Sequence, residues 1–402
     1  MVDSVLRKYE ADCASFFPPL PSAARQAMAL LPEALHRVRP LNTPQRRALP
    51  EDAAALSCLL TSGRGDLRRP YWSSPAFVSA YLYYFLPWNL LRLVRLFASL
   101  DLPDPRGTSG EALLTDLGSG PLTLPIALWL ARPDLDDAPL RLLALDSAPL
   151  PLALGKALFK TLGGMTGRCV WPMRTERGGL ERAGGPRRPA AGSARPWLLT
   201  AANVLNECRR PARLHSFDRQ FPTILVVEPG TRLGGKTIMT LREEATADGF
   251  RAIAPCPHNT VCPLAEGKGR PWCHFTFDCA GAPDWLERLS QQAGLTKTSL
   301  SLSFLLLRRM EVGRELENVA RSGRNAKKSI AGTVTDTTVD ARVLSAPFAV
   351  PGLGGRARYA CCAKGLLLLE NAERLSQGDL IRASLGPDMP RDAKSGAWIV
   401  RF

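Results

Sequence analysis

The chain has 402 residues, enough for two or three domains, and 45% of them are hydrophobic, so it can bury sizeable cores. Lysine and arginine total 52 against 37 acidic residues, a net charge of +15 that favours a polyanionic partner such as a nucleic acid. A genomic bias toward arginine codons is the alternative explanation of this excess.

The sequence excludes an obvious targeting or membrane segment. The first 12 residues contain three acidic side chains and no apolar run, unlike a secretion signal or a transit peptide. The most apolar stretch, residues 75–91, contains two prolines and is shorter than the roughly 18–20 residues of a spanning helix. We interpret it as a buried helical segment and expect a cytoplasmic protein with no membrane partner and with reduced cysteines.

The first 105 residues are predicted to be helical, because segments 22–38 and 89–100 repeat apolar residues every three or four positions. Short apolar runs then alternate with helical segments, which predicts a doubly wound α/β sheet. The predicted strands are residues 113–120, 141–149, 196–205, 221–230, 251–257 and 298–309.

Two polar segments interrupt this pattern. Residues 174–196 are rich in glycine, proline and arginine and predict a disordered insertion. Residues 313–332 are basic and predict a linker or a helix that orders on RNA. The domain organisation we infer is a helical region (1–105), an α/β domain (106–310), a basic linker (311–340) and a small β-rich appendage (341–402).

The motif DLGSGP, which begins at Asp116, lies between an apolar strand and an apolar helix. Its glycines, Gly118 and Gly120, permit a sharp turn and close approach of the backbone to a ligand. Asp146 ends the next predicted strand, where a carboxylate suits the hydroxyls of a ribose. The leading aspartate and the acidic end of the next strand favour an S-adenosylmethionine site over a dinucleotide site, which needs a third glycine. The usual methyltransferase loop is Asp-x-Gly-x-Gly-x-Gly, and Leu122 occupies its last position, a departure that weakens or alters the expected cofactor binding. An ordinary tight turn is the structural alternative.

No catalytic group stands out. Polar residues follow the predicted strands near this edge, and we interpret them as cap or turn residues rather than catalysts: Asn203, Asn206, Glu207 and Glu228.

Four of the ten cysteines lie within residues 254–279, with the spacing C-x5-C-x10-C-x5-C. They are Cys256, Cys262, Cys273 and Cys279. Structural zinc sites prefer cysteines two to four residues apart, whereas an iron–sulfur cluster accepts ligands from more distant loop positions. The spacing therefore favours a [4Fe–4S] cluster. His258 and His274 are additional candidate ligands and leave zinc open, and reduced structural cysteines without metal are a further alternative.

Several motifs together resemble one family: DLGSGP, NVLNE, VVEPGT, APCPHNTVCPL, WCHF and RYACCAKG. The resemblance is to the methyltransferase-like small-ribosomal-subunit assembly proteins of bacteria and mitochondria, and it covers residues 75–310 with a looser extension to about 370. It implies a class I, Rossmann-like methyltransferase fold and the small ribosomal subunit as partner. It also implies that the four clustered cysteines hold a [4Fe–4S] cluster and that Asp116, Gly118, Gly120 and Asp146 surround the cofactor.

Three functions follow as hypotheses. The first is an rRNA-binding factor for small-subunit assembly or translation. The second is an active S-adenosylmethionine-dependent methyltransferase acting on rRNA or protein, which the departure from the glycine motif and the lack of a catalytic motif weaken. The third is a zinc-containing or redox-sensing RNA-binding protein.

Overall fold

The computed structural model describes residues 16–61, 71–178, 194–205, 220–265, 271–310, 337–351, 355–386 and 388–401. The chain divides into two compact units. The first unit consists of Phe16–Gly234 and Thr276–Ser303, and the second unit includes Gly235–Phe275 and Phe304–Phe402. Among the described helices, none has the length and apolar character needed to cross a bilayer.

The first unit begins with the predicted helices. They are α1 (Ser22–Val38), α2 (Thr43–Thr61), α3 (Pro75–Ala80) and α4 (Leu86–Phe97), and a π-helical turn, Tyr81–Phe85, joins α3 to α4. The side chain of Ser74 caps α3 by accepting a hydrogen bond from the Phe77 amide, and a proline follows at the first helical position. Ten of the twelve residues of α4 are buried, so the apolar stretch is a buried helical segment as predicted.

The central sheet contains eight strands. They are β1 (Ala112–Leu117), β2 (Leu140–Asp146), β3 (Met173–Arg177), β4 (Arg195–Ala202), β5 (Thr223–Pro229), β6 (Phe250–Ala254), β7 (Phe275–Asp278) and β8 (Ser299–Arg309). The helices that alternate with them are α5 (Thr123–Ala131), α6 (Pro149–Thr166), α7 (Arg232–Ala247) and α8 (Asp284–Gln292).

The strand order is β3-β2-β1-β4-β5-β8-β6, with β7 paired to β8. The pairs from β3 to β5 are parallel, and β8 runs antiparallel to β6. The antiparallel strand β8 thus lies between β5 and β6. This arrangement is the topology of class I methyltransferases. The predicted fold class is therefore confirmed.

The prediction of a disordered insertion over residues 174–196 was wrong at both ends. Residues 174–177 belong to β3, and 195–196 begin β4, while 179–193 lie outside the described residues. The reason is that β3 is an edge strand with the sequence MRTER, and edge strands tolerate charged side chains that hide the apolar strand pattern. The helix α6 and the short strand β7 were also not predicted.

The second unit contains a six-stranded C-terminal sheet, which confirms the predicted β appendage. Its strands are β9 (Thr337–Val343), β10 (Phe348–Ala349), β11 (Arg356–Cys362), β12 (Gly365–Glu370), β13 (Leu380–Leu385) and β14 (Trp398–Arg401). The order is β13-β9-β11-β12-β14, with β10 paired to β11. On β11, Cys362 belongs to the buried core of this sheet, whereas its neighbour Cys361 points to the other face.

The position of α6 depends on one glycine. A Cβ atom at Gly155 would lie 2.3 Å from the carbonyl carbon of Pro121. The backbone of α6 therefore packs directly on the turn that follows β1.

We predict that Gly155→Ala destabilises the protein by roughly 1–3 kcal/mol, because the added methyl group overpacks this contact. Gly164→Ala on the same helix has no heavy atom within 4 Å of the new Cβ and should stabilise the helix by about 0.5–1 kcal/mol. Urea unfolding of both variants measures the difference. Equal stability of the two variants would show that α6 does not press on Pro121.

Candidate cofactor pocket and thiol site

The glycine motif forms a turn in which three residues have positive φ. These are Gly118 (φ 61°), Gly120 (φ 51°) and Leu122 (φ 57°). A leucine in the left-handed region costs about 1–2 kcal/mol, and here the fully buried Leu122 side chain is held by packing just before α5. The leucine that replaces the third glycine therefore keeps the backbone conformation that a glycine would adopt.

Asp146 ties this turn to the end of β2. One carboxylate oxygen accepts a hydrogen bond from the Gly120 amide at 2.8 Å. The other oxygen accepts one from the Ala148 amide, also at 2.8 Å. Each oxygen has a second lone pair, so the carboxylate can still accept hydrogen bonds from a ligand.

Asp116 lies at the end of β1 with 1% of its surface exposed. Its Oδ1 atom accepts a hydrogen bond of 2.6 Å from the Thr200 hydroxyl on the neighbouring strand β4. Burial raises the pKa of Asp116 to about 7, and the charge of Asp146 acts in the same direction, while hydrogen bonding opposes it. Near neutral pH this carboxyl group is thus poised between its neutral and ionised forms.

The two glycines of the turn have different surroundings. A Cβ on Gly118 would lie 2.3 Å from a methyl group of Val204, so this chain already fills the space next to Gly118. At Gly120 the nearest atom to such a Cβ belongs to Trp72, at 3.9 Å. The Trp72 ring packs against Tyr71 and Tyr81, with centroids 4.8 and 4.7 Å away. The space beside Gly120 and Asp146 is therefore bordered by an aromatic cluster of the N-terminal helices.

The polar residues that follow β4 and β5 have structural surroundings. Glu228 is fully buried, and its carboxylate accepts a hydrogen bond of 2.9 Å from the Leu205 amide. Asn203 has a left-handed backbone (φ 57°) that asparagine tolerates. Residues 206 and 207 lie outside the described residues.

A second candidate site lies entirely within the second unit. Four cysteines line one small cavity of about 20 Å³. They are Cys256, Cys262, Cys273 and Cys361. The first three come from the segment between β6 and β7, as expected, and the fourth comes from β11.

Cys279 has other surroundings. It belongs to the first unit and follows β7. Burial raises the pKa of its thiol. Among the nearby charges, Lys297 and Arg95 lower this pKa, whereas Asp278 and Glu287 raise it. The structure thus brings together three of the four predicted ligands and adds Cys361, which the sequence reasoning had not included.

The residues around the four thiols are mainly apolar or cationic. Within the described ranges, no group of three or more histidine, cysteine or acidic side chains is arranged to hold a metal ion. Burial raises the pKa of the thiols of Cys256, Cys273 and Cys361, and neighbouring thiols raise it further. His258 also lines the cavity, and its pKa falls to about 4 because of burial and the nearby Arg242, so it is neutral at physiological pH.

Two buried arginines brace the loop that carries the first two thiols. Arg242 on α7 is 3% exposed, and its guanidinium donates to the Cys256 sulfur at 3.1 Å and to the carbonyls of His258 and Thr260. Arg342 on β9 is 7% exposed and donates to the carbonyl of Pro255 at 2.9 Å. Both cations lower the pKa of the Cys256 thiol, although burial outweighs them.

A comparison with protein-family models finds one match. Residues 196–321 match the family model described as "Mitochondrial small ribosomal subunit Rsm22". This match confirms the resemblance to methyltransferase-like small-subunit proteins that the motifs had indicated. No curated protein sequence matches the chain.

Solved structures similar to this chain include several methyltransferases. A precorrin-6y C5,15-methyltransferase from Geobacter metallireducens is 10% identical, with 55% of this chain and 88% of that chain covered and a TM-score of 0.30. A methyltransferase from Thiobacillus denitrificans, in complex with S-adenosyl-L-homocysteine, is 13% identical, with 56% and 92% covered and a TM-score of 0.30. A putative class I methyltransferase from Listeria monocytogenes is 9% identical, with 72% and 88% covered and a TM-score of 0.31.

Proposed function

We propose that this chain is a methyltransferase-like factor of the small ribosomal subunit that binds rRNA and acts in subunit assembly or translation. The observation that carries the proposal is the match of residues 196–321 to a small-ribosomal-subunit family on a class I methyltransferase fold. The net charge of +15 supports an rRNA partner, because lysine and arginine neutralise phosphates and release counterions. The proposed location is wherever small subunits assemble, the cytoplasm or the mitochondrial matrix.

The experiment that tests this proposal is co-sedimentation from cell extract. The tagged chain should migrate with the small subunit or its precursors at low salt and should be released as salt is raised. A chain that stays in the ribosome-free fraction and has no salt-dependent affinity for small-subunit rRNA would refute the proposal.

The first unit is proposed to bind S-adenosylmethionine beside the glycine turn. Asp146 would accept hydrogen bonds from the ribose hydroxyls, and Gly120 would let the ligand approach the backbone. Asp116 and Gly118 would support the glycine turn from the end of β1, since Asp116 is buried and Val204 lies beside Gly118. Because Val204 fills the space at Gly118, and because Glu228 is committed to the Leu205 amide, the proposal assigns no catalytic residue and does not include methyl transfer.

We predict that calorimetric titration with S-adenosylmethionine detects one site per chain and that Asp146→Ala abolishes it. The physical reason is loss of both the ligand acceptor and the bond that orients Gly120. Asp134→Ala is a matched control, since Asp134 is half-exposed and pairs with Arg132 outside the pocket. If the wild-type chain binds no more tightly than Asp146→Ala, the motif is only a structural turn.

The second unit is proposed to hold a [4Fe–4S] cluster through Cys256, Cys262, Cys273 and Cys361. The donor chemistry fits, because thiolates are the usual ligands of such clusters, and bound iron favours the ionised thiolate over the thiol. Cys361 replaces Cys279 in this ligand set because it lines the same cavity as the other three. When bound, the cluster would supply charge and rigidity to the loop between β6 and β7.

The wide spacing of the cysteines along the sequence favours a cluster over a single zinc ion. A structural zinc ion holds four thiolates at about 2.3 Å, so its ligands crowd around one point. Within the described residues, no group of side chains is arranged around one such point. A cubane, with one thiolate on each iron, accepts ligands from more widely separated positions.

We predict that Cys361→Ala loses the iron and sulfide of the anaerobically purified chain, about four irons per chain in the wild type. Cys362→Ala is the matched control, because it makes the same change at the next residue of β11, on the opposite face. It should keep the iron and the visible absorbance of the cluster, as should Cys279→Ala.

Three results would contradict this ligand set. Stoichiometric zinc without iron or sulfide in the wild type would show that the thiols bind zinc and not a cluster. Iron retained in Cys361→Ala but lost in Cys279→Ala would show that Cys279 is the fourth ligand, as the sequence predicted. Equal loss in Cys361→Ala and Cys362→Ala would indicate damage to the sheet, and far-ultraviolet circular dichroism measures that damage directly.

A further inference from the structure

A groove on the first unit lies between α6 and the edge strand β3. Its volume is about 440 Å³. The helix contributes Lys156 and Lys160, and the strand contributes Thr175 and Arg177. The floor is formed by small or apolar residues of α6: Pro149, Leu152, Ala153 and Ala157.

The charged side chains that line the groove are all positive. No acidic side chain lines it. The nearest acid along β3, Glu176, alternates to the other side of the strand and pairs with Arg174 at 2.7 Å. The groove therefore presents three cations that no carboxylate in its lining neutralises.

These cations are available to a ligand. Neither Lys156 nor Lys160 makes an ion pair or a hydrogen bond with any residue that the structure describes. The Arg177 Nε atom donates to the Ser147 carbonyl at 3.1 Å, which fixes the guanidinium at the rim of the groove. Its other two nitrogens donate to no described residue, so they can face a ligand.

The spacing suits a chain of phosphates. Lys156 and Lys160 are four residues apart on α6, which separates them by about 6 Å along the helix axis. This separation is comparable with that of successive phosphates in a nucleic-acid strand. The Thr175 hydroxyl can donate to a phosphate or ribose oxygen, and the apolar floor can pack against the sugars.

We propose that the groove between α6 and β3 binds the sugar–phosphate backbone of RNA through Lys156, Lys160 and Arg177. The inference rests on the proposed rRNA-binding function and names its contact surface. A groove with apolar residues between cations from both α6 and β3 fits a polyanionic strand better than a compact anion. The contacts are to backbone and carry no base specificity.

The test compares two triple variants of equal net charge. The groove variant is Lys156→Gln, Lys160→Gln and Arg177→Gln. The control is Arg25→Gln, Arg47→Gln and Arg288→Gln, three exposed cations of the first unit outside the groove. The match is close, since Arg25, like Arg177, donates to one backbone carbonyl, that of Leu20.

The measurement is the affinity for an in vitro transcript of small-subunit rRNA between 0.1 and 1 M salt. Losing three phosphate contacts should reduce the slope of log K against log salt by about 2, taking about 0.7 per contact for a single strand. Binding should be about a hundredfold weaker at 0.1 M salt and should approach that of the wild type near 1 M. The control should retain the wild-type slope.

The outcomes separate the two proposals. If the wild type binds rRNA and the groove variant keeps its slope, the groove is not the contact surface, while the proposed function stands. Equal losses in the groove variant and the control would indicate general charge rather than this groove and would also overturn the inference. If the wild type shows no salt-dependent affinity for the transcript, the proposed function fails.

Discussion

The carboxylate of Asp146 is the contact on which the first unit's pocket depends. It receives one amide hydrogen from the turn after β1 and another from Ala148, the residue that caps α6. A negative charge at this end of α6 is also favoured by the helix dipole. One side chain thus fixes the end of β2, the glycine turn and the start of α6 relative to one another.

The orientation of α6 has further consequences. Gly155 lets the helix approach the Pro121 backbone, and the same helix carries Lys156 and Lys160 on the side that faces β3. The pocket and the groove therefore share one structural element. A ligand that orders the glycine turn would also stabilise the helix that presents the lysines, which gives the two proposed sites a physical connection within one unit.

The apolar strands of the sheet could be predicted because parallel strands buried on both faces are continuous runs of apolar residues, as in the buried residues 224–227 of β5. The edge strand β3 could not, since its charged sequence is typical of loops as well. The glycine turn and Asp146 were predictable from local spacing alone, because strand, turn and helix follow one another along the chain.

The four cysteines that line the thiol cavity show the limit of sequence spacing as evidence. Cys279 is close in sequence to Cys273, whereas Cys361 reaches the cavity only because β11 pairs with β9 in the C-terminal sheet. No periodicity in the sequence reports such a long-range contact. The signal that could have found it was the motif RYACCAKG, whose adjacent cysteines must point to opposite faces of a strand.

Arg242 explains how the thiol loop keeps its shape. Burying a guanidinium is costly unless its donors are satisfied, and the carbonyls of His258 and Thr260 together with the Cys256 sulfur satisfy them. The same bonds hold the irregular segment that directly follows β6. Arg342 adds a bond from β9 to the start of this loop.

A cluster bound to these thiols would join two parts of the second unit that are distant in sequence. Three of the proposed ligands belong to the loop after β6, and the fourth belongs to β11, whose next residue, Cys362, lies in the core of the C-terminal sheet. Because metal binding free energy is available only to the folded site, loading the cluster would stabilise the loop and the sheet together. Loss of the cluster would then weaken both at once, so the conformation of the second unit would depend on the supply of iron and sulfide.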